Sequence, residues 1–369
     1  MNLRRQLLLV SLLLLALPWA GCQFVREIEG ALRQGQENAL YATGSAAASL
    51  AASRNGEIFP GQAVSALRQQ DGVIYAFPSE QPIIVDGYGD GWDEIPGSPL
   101  APDEGKKSTV MLKALTRGAT LYLLLTVRDD EIVYYNPALP DPRNGDRLLL
   151  RLGAGERPRD YGIQTAAPGR VRARPASRSA RTDEADRISG FWQDTASGYT
   201  LELQLPVSLA HDFLGLAVVD HRDAQEATGN FDPSTRDIPP PLITRPATAL
   251  DLLAPFSAPG RDVLLLDDNG WILANSPAAP RDTPAPAADT FWLLQLFYRY
   301  LLAQDTLDEP PSPQRPGQLA GSEVRTALAG DNAAARYRDA RYTSRTLQSI
   351  AVPVRTGDTI SGAIVIRES

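Results

Sequence analysis

Residues 199–205, YTLELQL, alternate apolar and polar side chains and predict how the middle of the chain folds. Successive side chains of a β-strand point to opposite faces, so this alternation predicts a strand with one face in a core and one in water. Residues 121–127 (LYLLLTV) and 214–219 (LGLAVV) are similar strand-like runs. The middle of the chain is therefore predicted to be β-structure.

Working outward from these runs, strand-like segments follow one another with turn signals such as Asp86-Gly87 and Arg117-Gly118 between them. The predicted strands are residues 82–85, 108–115, 121–127, 147–152, 161–165, 170–173, 199–205 and 214–219. Many short strands without intervening helices predict a β-sandwich or a barrel.

Composition narrows the classes of function. The chain has 369 residues, which is long enough for two or three domains. It has a net charge of −8, one cysteine and two histidines. The acidic balance argues against a nucleic-acid partner. The cysteine count excludes an intramolecular disulfide and a CxxC zinc site, and the histidine count excludes a histidine-rich metal centre. No GxSxG, paired-carboxylate or P-loop pattern stands out, so we expect no catalytic residue, metal or cofactor in this chain and leave enzymatic activity undecided.

An Asp- and Gly-rich segment near residue 90 raises the question of calcium. Asp86 and Asp90 fall at the first and fifth positions of an EF-hand-like loop. Tyr88 and Gly97 stand at the third and twelfth positions, where such a loop needs carboxylates. We therefore interpret the segment as a turn and expect no metal there.

The amino terminus indicates export. Arg4 and Arg5 precede an apolar run over residues 7–22, which is short for a membrane span of about 20 residues until it is continued to residue 25. Three interpretations stay open: an uncleaved anchor over residues 1–25, which we favour, a lipoprotein signal with Cys22 as the lipidated residue, and a cleaved signal peptide. All three place the following residues in the periplasm, and the favoured one attaches them to the inner membrane.

Residues 26–80 are predicted to form a stalk and a connector. Apolar residues recur at approximately helical spacing over residues 24–53, and a second short helix is predicted within residues 61–70. We expect the stalk to continue the membrane span outward and to support a homodimer.

The last third of the chain is predicted to be a second domain. Residues 226–255 form a proline-rich connector, and residues 256–369 contain two strands around the Asp268-Asn269-Gly270 turn. The further elements predicted here are helices over residues 291–304 and 322–329 and strands over residues 334–341, 346–354 and 359–366.

The order of the middle segments resembles the family 9 carbohydrate-binding-module-like sandwiches. Residues 84–87 (IVDG) and 91–93 (GWD) resemble the opening D-G…D-x-W of that family, and the later segments follow in its order. These later segments are residues 119–129, 144–148, 191–206 and 214–220. The resemblance implies a sandwich over residues 81–225 and a possible glycan ligand.

Within this resemblance, tryptophans that stack on a sugar are the expected ligand contacts. Trp92 and Trp192 are the candidates, with Asp93 and Glu94 as acceptors for sugar hydroxyls. The alternative is that both indoles are core residues, because large aromatic side chains are on average highly buried.

The carboxy-terminal domain resembles the PAS-like or Cache-like extracytoplasmic domains of bacterial receptors. The segments that carry this resemblance are VLLLDDNGWILANS at 263–276, EVRTALAGD at 323–331 and IAVPVRTGDTISGAIVIRES at 350–369. Together with the amino-terminal anchor, the chain resembles the sensory half of the membrane histidine kinases associated with proteobacterial dedicated sortase systems. The implied kinase half, with its ATP, Mg²⁺ and response regulator, has no motif in these residues.

The sequence thus predicts an α+β multidomain chain: a membrane helix and stalk helix, a β-sandwich and a PAS/Cache-like domain. The expected function is to detect a ligand or envelope cue and to transmit it across the membrane, with Ile360, Gly362 and Ile364 on the transmitting strand. The alternative is a membrane- or lipid-anchored protein that binds a carbohydrate or another envelope component.

Overall fold

The computed structural model describes most of the chain. The described residues are 3–101, 109–141, 143–153, 159–222, 227–277, 309–313, 315–338 and 346–368, and side chains are described from residue 23 onward except at 25, 26 and 29. The helix expected over residues 291–304, the Cys22 side chain and the side chains of the apolar run therefore lie outside the described residues.

The secondary structure of the described residues is mainly β. The helices are α1 (Leu3–Ser53), α2 (Asn55–Ile58), α3 (Gln62–Leu67), α4 (Thr182–Ala185), α5 (Val207–Ala210), α6 (Ala247–Leu253) and α7 (Ser322–Leu328). The first strands are β1 (Ile74–Tyr75), β2 (Phe77–Pro78), β3 (Ser98–Pro99), β4 (Thr109–Arg117), β5 (Thr120–Arg128), β6 (Arg147–Leu152), β7 (Arg159–Ile163), β8 (Gly169–Arg172), β9 (Arg174–Pro175) and β10 (Ser189–Thr195). The remaining strands are β11 (Gly198–Pro206), β12 (Leu214–Val219), β13 (Ala227–Gly229), β14 (Leu242–Ile243), β15 (Arg261–Asp267), β16 (Ile272–Ser276), β17 (Ala333–Arg338), β18 (Thr346–Thr356) and β19 (Thr359–Glu368).

Two sheets form the predicted β-sandwich. The first has the order β2-β4-β5-β11-β10-β8 with β3 paired to β4, and the second has the order β13-β12-β6-β7-β9. Alternate residues of β5 and β6 meet in one core because a strand presents every second side chain to the same face. Leu121, Leu123 and Leu125 from β5 and Leu148 and Leu150 from β6 are all buried there. Each such side chain contributes about 1.5–3 kcal/mol through the apolar surface that it buries.

A third sheet, with the order β16-β15-β19-β18-β17, forms the carboxy-terminal domain. The end of α1 packs on one face of β18 and β19, and α7 packs on the other. Leu40 and Ala47 of α1 are buried together with Ile364 and Ile366 of β19. The predicted stalk is therefore free for only part of its length, since its last turns are a structural helix of this domain.

A strand pair joins the sandwich to the carboxy-terminal domain, and an ion pair attaches the segment before the sandwich to the same domain. β1 and β14 run side by side in parallel, with Ile74 opposite Leu242, so the segments before and after the sandwich are neighbours. Next to this pair, the buried Arg68 guanidinium forms a 2.8 Å ion pair with Asp267 on β15. The indole Nε1 of Trp271 donates to the Arg68 carbonyl.

Among the described residues, most predicted elements are confirmed within a few residues, one predicted strand is wrong, and one strand was not predicted. Residues 82–85 form no strand, because they cross the outer face of the first sheet instead of pairing with it. β10 was not predicted as a strand, although its Phe191-Trp192 pair was noted. Among the residues whose side chains are described, no helix is both long and apolar enough to cross a bilayer. The membrane helix therefore stays a prediction.

Candidate functional site

A groove of about 830 Å³ lies where β8 of the first sheet approaches β9 of the second. Three arginines line it together with hydroxyl and amide side chains from β10 and β11. The lining residues that define the groove are Arg170, Arg172, Arg174, Ser189, Gln204 and Tyr135. We refer to it as the arginine groove.

The arginines share one side of the chain because of simple alternation. In residues 170–174, RVRAR, Val171 and Ala173 are buried in the sandwich core. The three arginines that alternate with them therefore point outward. The register places Ser189 opposite both Arg172 and Gln204, which continues the same row across β10 and β11. The Gln204 Nε2 donates a 3.3 Å hydrogen bond to the Ser189 hydroxyl.

The groove carries positive charge in an acidic chain. None of the ion pairs among the described residues includes Arg170, Arg172 or Arg174, and all three are exposed. A guanidinium presents a planar fork of N–H donors that fits a carboxylate, sulfate or phosphate through two parallel hydrogen bonds. Amide and hydroxyl groups beside it suit the hydroxyls of a sugar. The arrangement is that of a site for an anionic, hydroxyl-rich ligand.

The two candidate tryptophans are placed differently from the predicted stacking platform. Trp92 and Trp192 are each 1% exposed, and they lie on opposite faces of the first sheet. Trp92 packs on Leu124 outside the sandwich core, whereas Trp192 stacks on Tyr199 inside it, with ring centroids 3.9 Å apart. The expectation that the pair holds a sugar is therefore corrected: both indoles are core residues, and they cannot enclose one ligand.

Asp93 and Glu94, the other predicted ligand contacts, are exposed residues in the loop that follows Trp92. Neither of them lines the arginine groove. The four residues predicted to bind a sugar therefore do not form one site in the structure.

Glu202 holds the loop that covers the first sheet beside the groove. Its carboxylate accepts hydrogen bonds from the backbone N–H groups of Asp86 and Gly87, at 2.8 and 2.7 Å, and from Trp92 Nε1 at 2.9 Å. Burial raises the pKa of Glu202, and these donors oppose the shift by favouring the charged form. A side chain at Gly87 would lie 2.6 Å from the Gln193 Cβ, so this close approach requires glycine. The alternation of residues 199–205 places Glu202 on the outer face correctly, but the loop excludes water there.

The predicted transmitting residues lie on an inner strand, as expected. β19 pairs with β15 on one side and β18 on the other, and Ile364 is fully buried against the α1 side of the sheet. A Cβ at Gly362 would lie 2.0 Å from the Leu266 carbonyl oxygen and 2.6 Å from the Phe59 ring. Ile360 is partly buried. Gly362 thus permits the close approach that its small size predicts.

Sequence reasoning missed the arginines and one acidic group. The alternation of arginine with small apolar residues in RVRAR is visible in the sequence and could have indicated the groove. Among the described residues, Asp129, Asp146 and Asp220 form the group of carboxylates that could hold a metal ion. They lie directly after β5, before β6 and after β12, and one sequence does not show which strand ends meet.

No family model matches the chain, and no curated protein matches it. Among solved structures, a family 9 carbohydrate-binding module from Caldicellulosiruptor kristjanssonii in complex with cellotriose is 15% identical, with a TM-score of 0.32, over 42% of this chain and 80% of that one. The same kind of module in complex with glucose is 13% identical, with a TM-score of 0.31, over 42% and 82%.

A putative carbohydrate-binding protein from Bacteroides uniformis is 12% identical, with a TM-score of 0.28, over 40% of this chain and 83% of that one. TM-scores this low are not sufficient to transfer a ligand or a binding residue to this chain.

Proposed function

We propose that the sandwich binds an acidic glycan of the cell envelope in the arginine groove. The observation that carries the proposal is the row of three exposed arginines beside Ser189 and Gln204. Uronic-acid residues offer a carboxylate to a guanidinium and hydroxyls to amide and hydroxyl side chains. The net charge of −8 repels polyanions in general, so the attraction is local to the groove.

The test compares two probes of equal length, a galacturonate trisaccharide and the neutral cellotriose, by isothermal titration calorimetry. We expect the acidic probe to bind at least tenfold more tightly than the neutral one. Replacing Arg170 and Arg172 with glutamine should remove that preference without changing the fold, because both side chains are exposed. Arg178→Gln is the matched control, since Arg178 is exposed on the next segment and does not line the groove. Equal binding of both probes, or acidic binding that survives the double substitution, would refute the proposal.

A second proposal is that this binding region is the extracytoplasmic sensory part of a membrane histidine kinase. One observation favours it: α1 is a continuous helix from Leu3 to Ser53 whose last turns are buried against β18 and β19. A single helix thus joins the predicted membrane anchor to the sheet that contains the transmitting strand. In this proposal the carboxy-terminal domain is PAS/Cache-like, and a kinase half that uses ATP and Mg²⁺ acts on a response regulator.

The sensory proposal includes a homodimer through α1. Phe24, Ile28 and Leu32 are 63%, 44% and 66% exposed and are spaced four residues apart, so they lie on one face of the helix. Such an apolar stripe is buried when it packs on the same stripe of a second copy. Ligand-dependent output of the full receptor tests the proposal, and output that is unchanged by the Arg170 and Arg172 substitutions would separate sensing from glycan binding.

A further inference from the structure

A cavity of about 350 Å³ lies between the sandwich and the carboxy-terminal domain. Its walls include Leu112 and Ala114 on β4 of the sandwich, Trp271 of the carboxy-terminal domain, and Tyr75 and Phe77 on the segment that joins the two. Leu112 and Ala114 are buried in the core of the sandwich, whereas Tyr75 and Trp271 are buried in the core of the carboxy-terminal domain. We refer to this space as the boundary cavity, because it lies where the two cores meet.

The polar atoms of the aromatic wall already have partners within the protein. The Tyr75 hydroxyl donates a 2.8 Å hydrogen bond to the Ile272 carbonyl oxygen. The Trp271 Nε1 donates to the Arg68 carbonyl oxygen. Tyr75 lies edge-on to Phe77, with ring centroids 4.9 Å apart, and parallel to Trp271 at 5.9 Å. These rings therefore offer a ligand apolar aromatic surface, which pairs best with another aromatic ring in an offset or edge-to-face arrangement.

Arg315 supplies a positive charge to the boundary cavity. It begins the turn 315–318, which has the features of type II: the Gln318 N–H donates to the Arg315 carbonyl oxygen, and Gly317 has a φ of 86°. The Gly317 carbonyl oxygen accepts an N–H from the first residue of β16. A Cβ at Gly317 would lie 2.4 Å from the Tyr75 ring, so the turn packs directly on the aromatic wall. The backbone thus holds Arg315 beside the rings.

The guanidinium of Arg315 is available to an anion. Its Nη1 donates to the Gln70 carbonyl oxygen at 3.0 Å, and its Nη2 donates to Asp71 Oδ1 at 2.6 Å. The Asp71 side chain is 95% exposed, and an ion pair with so exposed a partner contributes little free energy. A ligand carboxylate can therefore replace Asp71 and bind the guanidinium through two parallel hydrogen bonds.

We propose that the boundary cavity binds a small aromatic carboxylate, with its ring against Tyr75, Phe77 and Trp271 and its carboxylate on Arg315. The volume of 350 Å³ corresponds to about 12 non-hydrogen atoms, at about 30 Å³ for each, which is the share of one water molecule in the liquid. Small-molecule sites commonly have apolar walls, few polar groups and a position between domains. Because both domains contribute walls, the bound ligand would favour the arrangement that joins them.

The test measures the binding of three probes to the full chain by isothermal titration calorimetry. The probes are 2-naphthoate, 2-naphthylmethylammonium, which has the same ring and the opposite charge, and octanoate, which has the same charge and no ring. We expect 2-naphthoate to bind at least about tenfold more tightly than either of the others. Hydrogen exchange with 2-naphthoate present should slow in residues 71–77, 96–101 and 315–319, which approach the cavity from three sides.

Two variants test the role of the charge in opposite directions. Arg315→Gln should weaken the binding of 2-naphthoate by about tenfold, and the ammonium probe should bind no more weakly than before. Asp71→Asn should strengthen the binding of 2-naphthoate by about two- to fivefold, because it removes the competing carboxylate. Arg325→Gln is the matched control, since Arg325 is exposed on α7 and does not line the cavity.

A wild-type chain that does not bind 2-naphthoate would overturn the proposal, as would equal or tighter binding of the ammonium probe or of octanoate. It would also be overturned if Arg315→Gln kept the full affinity, or if the protection from exchange were confined to other segments. Among the described residues, the boundary cavity and the arginine groove share no lining residue. Loss of 2-naphthoate binding through the Arg170 and Arg172 substitutions would therefore place the probe in the arginine groove and refute the proposal.

Discussion

Replacing Glu202 with glutamine should destabilise the sandwich mainly through one atom, the indole nitrogen of Trp92. The Glu202 Oε2 accepts the two backbone N–H groups of Asp86 and Gly87, and Oε1 accepts Trp92 Nε1 at 2.9 Å. The single oxygen of glutamine can keep the two backbone donors. Its NH₂ group then faces the indole N–H, so two donors oppose each other in a buried site.

The expected loss follows from this geometry. Leaving the buried indole N–H unpaired costs about 1–3 kcal/mol. The two backbone bonds lose their charge assistance, while burial of a neutral amide recovers some desolvation free energy. We therefore expect Glu202→Gln to lower the free energy of unfolding by about 2 kcal/mol, measured by urea unfolding followed by circular dichroism.

A double-mutant cycle isolates the indole. In a Trp92→Phe background the opposing N–H is absent, so the penalty of Glu202→Gln should shrink by about 1–3 kcal/mol. Trp192→Phe is the matched control, because Trp192 is equally buried, lies on the opposite face of the sheet and has no partner for its Nε1 among the described residues. A coupling below about 0.5 kcal/mol between Glu202 and Trp92, or an equal coupling to Trp192, would refute the reasoning.

Three further predictions concern the carboxy-terminal domain and α1. Gly362→Ala should destabilise that domain by about 1–3 kcal/mol, because its Cβ would lie 2.0 Å from the Leu266 carbonyl oxygen. Gly56→Ala, within α2 and with open space around it, is the control, and equal unfolding midpoints of the two variants would contradict this. Burial and the hydrogen bond to Glu323 raise the pKa of Tyr337 to about 12. The stability that this raised pKa provides should therefore be complete below pH 10 and lost as the pH rises toward 12. In a pH series of thermal unfolding, Tyr337→Phe should abolish that part of the alkaline loss. If the apolar stripe of α1 forms a dimer, Ile28→Cys should give a disulfide-linked dimer under mild oxidation. Glu27→Cys is the control and should give a lower yield of that dimer. Equal yields would argue against a dimer through this stripe.

The strand positions were largely predictable because they depend on local pattern. β6 and β12 begin and end at the predicted residues, since Asp146, Gly153 and Asp220 bound these largely apolar runs. The prediction of a strand over residues 82–85 was wrong because a short apolar run does not distinguish a paired strand from a segment that packs across a sheet.

The candidate site was less predictable because it depends on contacts between distant segments. Whether Glu202 meets water depends on a loop more than 100 residues earlier, and the periodicity of β11 contains no information about that loop. Trp92 and Trp192 were identified as notable residues, yet they lie on opposite faces because the loop that contains Trp92 crosses the outer face of the first sheet. The sequence does not show where that loop packs.

The parallel pairing of β1 with β14 has a consequence for the modularity of the chain. Adjacent strands lie about 4.8 Å apart, so the backbone at Ile74 is within a short bridge of the backbone at Leu242. The polypeptide thus leaves the carboxy-terminal domain at β1 and returns to it at the neighbouring β14, and Tyr75 and Ile243 of this pair are buried in the core of that domain. In architectural terms, the sandwich is an insert within a discontinuous host domain, whose residues come partly from before the sandwich and partly from after it.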